Sequence, residues 1–297
     1  MPELPDVTVY VEALRERIAG RKLERILIRG PFLLRTTAPP IEALYGKTVR
    51  EVRRLGKRIV LGFEGNLWLA LHLMIAGRLH WKAAGSKTMG KNALALFEFD
   101  AGTLVLTEAG TQHRASLQVF AGEEGLSGAG GVEPLEASPE AFARALRSSN
   151  HTLKRALTDP RMFSGIGNAY SDEILHRAQL SPLAMTQRLD DSEVQRLYRA
   201  TREVLNEWVE RLRVEARGRF PEKVTAFRSG MAVHGRYGQP CPRCGAKIQR
   251  IRYASNETNY CAACQTGGRL LADRALSRLL REDWPRTLEE LEELKKR

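Results

Sequence analysis

Residues 241–264 read CPRCGAKIQRIRYASNETNYCAAC, and this stretch decides one part of the fold of the 297-residue chain outright. Cys241 and Cys244 form one C-x2-C pair and Cys261 and Cys264 a second, with sixteen residues between them. That spacing lets two short knuckles close a tetrahedral four-thiolate site on one zinc ion. Four protein ligands leave no coordination position for water, so the zinc is expected to be structural. The chain has no other cysteine, which argues against a disulfide framework. Between the knuckles, Ile248, Ile251 and Tyr253 alternate loosely with Lys247, Arg250 and Arg252. This is the pattern of a small β-hairpin with a basic face, suited to holding phosphates.

Upstream of the cysteines the pattern is helical. Ser138-Pro139-Glu140 combines an N-cap hydroxyl with proline in the first turn. Helices are predicted over about 138–147, near 152–157, near 167–178 and from Asp191 to about Arg213, the last with Val194, Leu197, Val204, Trp208 and Leu212 as its buried stripe. Further back, AGEEGLSGAGGVEPLEA at 121–137 has linker composition. Before it lie short β-rich runs, Leu23 to Ile28, Ile59 to Phe63, Leu67 to Leu73, Ala93 to Phe99 and Leu104 to Thr107, which predict an antiparallel sandwich or barrel. Val7, Val11, Leu14 and Ile18 predict a helix almost at the terminus. The fold class is α+β, divided as 1–125, a linker at 126–137, then 138–235, 236–267 and a helical extension at 268–297 that is broken by Pro285.

The chain carries 47 Lys+Arg against 35 Asp+Glu, a net charge of +12, which points to a polyanionic partner. Arg15 to Arg58 holds 13 basic and 4 acidic residues, Arg211 to Arg252 holds 11 and 2, and 268–297 is nearly balanced at 8 and 7. The nucleic-acid surface is therefore expected on two separated segments. Leu270, Leu271, Ala275, Leu279 and Leu280 have helical spacing, so the tail is expected to pack back on the protein or meet a partner rather than serve as a DNA arm. No apolar stretch approaches a membrane span and the start Met1-Pro2-Glu3 lacks signal-peptide character. A cytoplasmic protein with no membrane partner is expected.

MPELPDV at the terminus, GKR with Lys57, HLMIAGRL around Met74, SGIGNAYSDEIL around Asn168, and HGRYGQP before the cysteines stand in one order. Together they resemble the bacterial formamidopyrimidine-DNA glycosylase and endonuclease VIII family from residue 1 to about Gln265. The resemblance implies an N-terminal β-sandwich, a helix-two-turn-helix domain and a zinc finger, with damaged duplex DNA bound by a monomer in the cleft between the halves. It implies that Pro2, exposed by loss of Met1, is the nucleophile, that Glu3 moves protons, and that Lys57 contacts phosphate beside the lesion. Met74 corresponds to an apolar wedge filling the gap of a flipped nucleotide, and Asn168 to a phosphate clamp at a helix start.

Some positions depart from the family pattern. Asp6 stands where a glutamate is usual, and Asn256 where the finger has a phosphate-binding arginine, leaving Arg250 or Arg252 to supply that contact. An arginine and phenylalanine wedge is expected near Glu108 to Leu117, where the chain reads EAGTQHRASL; Arg114 or His113 could replace the arginine, and no aromatic stands beside it. Residues 217–230, where purine-specific members carry a loop over the flipped base, do not match closely. The activity implied is a bifunctional glycosylase and AP lyase: attack of the Pro2 nitrogen on C1′, loss of the base, a Schiff base, then β- and δ-elimination. Oxidised purines are the first choice of substrate and oxidised pyrimidines the alternative. A catalytically silent DNA-binding protein on the same scaffold is the rival from another class, opposed by the intact Pro2, Glu3 and Lys57; a zinc-ribbon RNA-binding protein would need no special terminus.

Overall fold

The computed structural model describes the chain except for residues 31, 87–89, 111, 127, 129, 223, 225–227, 254–255, 273–283 and 297, and the side chains of 253, 256, 295 and 296. The chain forms two compact units, Met1–Gly130 with Glu207–Ala226, and Gly131–Asn206 with Phe227–Arg297.

The first unit opens with helix α1 (Leu4–Ile18), which starts with Pro5 in its first turn and buries Leu4, Val7, Tyr10, Val11, Leu14 and Ile18. Two four-stranded antiparallel sheets follow, the sandwich expected. One has the order β1 (Leu23–Ile28), β6 (Ala93–Phe99), β7 (Gly102–Glu108), β5 (Gly77–Lys82). The other has the order β2 (Val49–Leu55), β3 (Arg58–Phe63), β4 (Leu67–His72), β8 (Ser116–Ala121). Ile59, Leu61, Leu69, Leu71, Leu117 and Val119 from the second sheet share one core with Ile26, Leu79, Phe97, Leu104 and Leu106 from the first and with α1. Burial of this apolar surface is what holds the two sheets together.

Strands β2, β5 and β8 lie outside the five β-rich runs. β2 reads VREVRRL, with only Val49 and Val52 fully buried, and its charged positions hide the strand period. Arg50 pairs with Glu64 and Arg53 with Glu123, while Arg25 on β1 pairs with Glu98. Part of the basic charge between Arg15 and Arg58 is thus neutralised within the sandwich rather than offered to a partner.

In the second unit, α2 (Pro139–Arg147) is capped by Ser138 Oγ, which accepts from the Ala141 amide at 3.2 Å. α3 (Leu153–Thr158) follows, then α4 (Asn168–Ala178) and α5 (Asp191–Ala216), whose last turns belong to the first unit. Phe142 of α2 packs on Phe163 with centroids 4.6 Å apart. β9 (Gln249–Tyr253) and β10 (Asn256–Tyr260) form the hairpin expected between the cysteine pairs, and α6 (Ala262–Thr266) carries Cys264. In the extension, Leu270 and Leu271 are buried with Tyr260 and Ala262, and Leu288 and Leu291 of α7 (Leu288–Lys296) pack against the same cluster. Ala275, Leu279 and Leu280 lie outside the described residues.

Candidate active site and nucleic-acid interface

Pro2 and Glu3 are buried at the head of α1, Glu3 only 2% exposed. The Glu3 amide donates to Asp6 Oδ2 at 3.0 Å, and the Glu3 carboxylate accepts from the Asp6 amide. This reciprocal capping box fixes the acid next to the terminal amine. Burial lowers the pKa of the Met1 amine below its ordinary 8.0; Arg78 and Lys57 push the same way, while Glu3 and Asp6 oppose them. The terminus therefore sits among two cations and two carboxylates. An amine so placed loses its proton more readily than a solvated one, which is what a nucleophile requires.

Lys57 owes its place to a two-residue hairpin. Leu55 pairs with Arg58 and Gly56, at φ +62°, occupies the left-handed first turn position that a tight hairpin favours. Lys57 also acts on His72, which lies opposite Arg58 on β4. Burial, with Lys57 and Arg58 adding to it, lowers His72 to about 4. The neutral imidazole accepts the Met74 amide at Nδ1, 3.0 Å away.

Met74 begins the turn joining β4 to β5. It has φ +51°, and the Gly77 amide closes the turn on the Leu73 carbonyl at 2.9 Å. A Cβ on Gly77 would lie 2.3 Å from that carbonyl oxygen, so only glycine fits there. Arg78 donates to the Ile75 and Gly77 carbonyls, at 3.3 and 2.7 Å. A non-glycine residue on left-handed backbone costs about 1–3 kcal/mol and is held by its surroundings. Met74 itself is half-buried, whereas Ile75 at the apex is 57% exposed. The more protruding apolar side chain is thus Ile75, the neighbour of the residue that the motif singles out.

Glu108 is 1% exposed, and its carboxylate accepts from the Arg114 amide at 3.0 and 3.1 Å and from the Ala115 amide at 3.0 Å. It draws Arg114 and Ala115 back to the end of β7, leaving the Arg114 side chain exposed and bonded to Gln112 at 2.8 Å. Because Ser116 lies opposite His72, this segment and the Met74 turn emerge from the same end of one sheet. His72, Arg78 and Glu108 all stand inside stretches singled out from the sequence. Their work depends on register, which those stretches do not state.

In the second unit, Gly165, at φ +80°, turns the chain into α4. Asn168, first in that helix, donates through Nδ2 to the Glu257 carbonyl of β10 at 3.0 Å. Lys154 Nζ bonds the Asn168 carbonyl, Ser171 Oγ and Asp172 Oδ1 at 2.5–2.8 Å, and the buried Asp172 also takes His234 Nδ1 at 2.8 Å. Buried Glu173 accepts from the amides of Ala232, Val233 and His234. These carboxylates pin the HGRYG segment and the finger to α4. Arg250 and Arg252 both reach Glu257, at 3.3 and 3.4 Å, and Arg250 lies 4.0 Å over the Tyr237 ring. The Asn256 side chain lies outside the described residues.

The four cysteine sulfurs lie within 4.8 Å of one another, with Cys241 to Cys264 at 3.9 Å and Cys244 to Cys261 at 3.4 Å. A tetrahedral zinc with Zn–S bonds of about 2.3 Å requires sulfurs about 3.8 Å apart, so the cluster fits the ion. His176 Nε2 is 3.3 Å from Cys241 Sγ, a contact that orients the ligand. The centre is a structural zinc site of four thiolates.

Residues 1–113 match the formamidopyrimidine-DNA glycosylase N-terminal domain, 131–217 the H2TH domain of the same enzymes, and 238–267 the zinc finger found in FPG and IleRS. The chain is 35% identical over 282 residues to the formamidopyrimidine-DNA glycosylase of Thermus thermophilus, covering 90% of this chain and 100% of the relative. Among solved structures it resembles the Lactococcus lactis Fpg bound to DNA containing an oxidised pyrimidine, with TM-score 0.78 and 26% identity. It also resembles that enzyme bound to Fapy-dG DNA, with TM-score 0.77 and 25% identity; each covers 89% of this chain and 100% of the other. Among the described residues no helix is long and apolar enough to cross a membrane. With all three domains in order and the zinc centre in place, the chain belongs to the formamidopyrimidine-DNA glycosylase family of DNA-repair enzymes.

Proposed function

We propose that this enzyme removes oxidised bases from duplex DNA and cleaves the resulting abasic site through a Schiff base on Pro2. The observation that carries the reading is Pro2 buried at the head of α1 beside Glu3, where burial lowers the pKa of the adjoining Met1 amine and Glu3, Arg78, Asp6 and Lys57 all act on it. The Pro2 nitrogen attacks C1′, the glycosidic bond breaks, and the departing base takes a proton relayed by Glu3. The iminium then acidifies C2′ and permits β- and δ-elimination. Lys57 and Arg78 hold the adjoining phosphates, and Asn168, Arg250, Arg252 and Arg114 hold the strand elsewhere. Relatives bearing the family name, and complexes of one of them with Fapy-dG and oxidised-pyrimidine DNA, support oxidised bases as the substrate class.

Oxidised purines are the first choice within that class. One observation keeps oxidised pyrimidines as a second reading. In the 217–230 segment Phe220 and Val224 are buried in the sandwich core, Phe220 packing on Tyr10 at 5.7 Å, so these two side chains are committed to the scaffold rather than to covering a base. Borohydride trapping on duplexes bearing 8-oxoguanine, formamidopyrimidine or an oxidised pyrimidine tests both. Trapped complex with the parent and none with Pro2→Gly supports the mechanism, and the order of yields ranks the lesions. Undiminished trapping with Pro2→Gly assigns the nucleophile to a primary amine, the new terminus or a lysine, and binding without trapping by the parent leaves a silent DNA-binding protein.

A further inference from the structure

Phe32 is 75% exposed, the most exposed large apolar side chain among the described residues, and neither the core nor the proposed chemistry uses it. A single exposed aromatic is ordinary on a protein surface; what sets Phe32 apart is where its segment places it. The segment is structured: the Leu117 amide donates to the Leu33 carbonyl and the Arg35 amide to the Leu117 carbonyl, both at 2.8 Å, with Leu34 paired parallel to Leu117. Residues 33–35 therefore lie along β8, joined to it by a single parallel bridge at Leu34.

The parallel register carries Phe32 to the end of β8 where Ser116 lies opposite His72. Phe32, the 109–115 loop and the Met74 turn thus crowd one end of the sheet, the end where Lys57 stands. Phe32 lines a cleft of about 350 Å³ with Leu33, Leu94 and Ala115 as apolar walls and Arg35 and His113 as its polar members. Between β3, which Lys57 precedes, and the segment bridged to β8 at Leu34 lie three strand spacings, or roughly 14 Å. Phe32 is therefore set apart from the Lys57 hairpin by β4, which leads into the Met74 turn, and by β8.

The geometry points to Phe32 as a base-stacking residue that takes the unpaired nucleobase left opposite the extruded lesion. This rests on the function proposed above. Extruding a nucleotide leaves its partner without a pair, and a sequence-tolerant way to hold such a base is an aromatic face bordered by cations. Phe32 supplies the face, and Arg35 is the cation next to it. The aromatic missing from the 109–115 loop is on this account brought in from a different strand.

The test uses the full chain and a duplex carrying a tetrahydrofuran abasic analogue opposite 2-aminopurine. The parent is expected to bind it in preference to undamaged duplex and to quench the probe by stacking. Phe32→Ala should weaken binding roughly 5- to 150-fold, the range for one lost base–aromatic stack, and abolish the quenching. Phe32→Trp should restore both and Phe32→Leu neither. Because the ring is exposed, melting temperatures of all variants should match the parent. Parental affinity and quenching in Phe32→Ala, or full rescue by Phe32→Leu, would overturn the proposal. A parent with no preference for the abasic duplex would instead overturn the underlying function, and that is read before any variant is compared.

Discussion

Glu3 and Asp6 hold each other: the amide of each lies in the reach of the other's carboxylate, with Glu3 N to Asp6 Oδ2 at 3.0 Å. The box closes although the side chain at the third helical position is the shorter Asp rather than Glu, so the departure from the family pattern preserves the arrangement it touches. Asp6→Ala removes one arm. A lost cap costs about 1 kcal/mol of stability, seen as a lower melting temperature, and the trapping rate should fall because Glu3 is no longer restrained. Asp6→Ala that melts early yet traps at the parental rate would make the box a helix cap only.

The terminal amine gives a pH prediction with a definite sign. Burial first, then Arg78 and Lys57 by charge repulsion, lower the pKa of the Met1 amine, and a Pro2 amine freed of Met1 is expected to feel the same lysine. Lys57→Met therefore raises that pKa, less amine is unprotonated at pH 7, and the midpoint of trapping rate against pH moves upward. The plateau will change as well if Lys57 also holds a phosphate, so the midpoint is the quantity to measure. A midpoint that stays fixed or moves down would place the lysine away from the amine.

Features that depend on local spacing are legible in the chain alone. Helix α1, strands β1 and β6, the hairpin and the four-sulfur site rest on periodicity or ligand spacing, and they stand where expected. β2 escapes such a reading because its arginines interrupt the alternation and are neutralised by Glu64 and Glu123, partners found only after folding. Glu108 and His72 matter through amides two to seven residues away. Phe32 gives no signal, because an exposed aromatic and a core aromatic are the same letter until the segment bridged to β8 at Leu34 is placed.

His72 ties stability to acid. Its folded pKa is about 4 against 6.5 for an ordinary histidine, lowered first by burial and then by Lys57 and Arg58. The unfolded chain takes up this proton first, so the contribution is complete above pH 6.5 and is lost as pH falls from 6.5 toward 4. His72→Gln should flatten the decline of melting temperature across that window. A ring that titrates at the ordinary value in an NMR experiment on the folded protein would show that it is not shielded.

Glu257 holds both candidate finger arginines, so Glu257→Gln should release positive charge from the hairpin. Affinity for any duplex should rise, and the slope of log K against log salt should steepen by about 0.9 for each additional phosphate neutralised. An unchanged slope would mean that Arg250 and Arg252 do not face phosphate.

The extension beyond Gly268 covers the finger. Leu271 donates its amide to the Tyr260 hydroxyl at 2.8 Å, the buried Tyr260 is pushed up to about 12, and Leu270, Leu288 and Leu291 close over the ring and Ile251. Lys247 pairs with Glu292 of α7, so one basic side chain near the hairpin is already neutralised by the tail. Leu271→Ala should cost about 2–5 kcal/mol of finger stability, the range for a buried leucine. Truncation after Gly268 should lower the melting temperature further, because it strips the whole apolar cover. The tail's near-balanced charge of 8 basic against 7 acidic residues gives it little pull on a phosphate backbone. The salt slope of the truncated protein should therefore stay within about one unit of the parent's, with release of Lys247 making any change an increase. A slope shallower by about two units would mean that two phosphate contacts left with the tail, and the extension would then belong to the DNA surface rather than to the core of the finger.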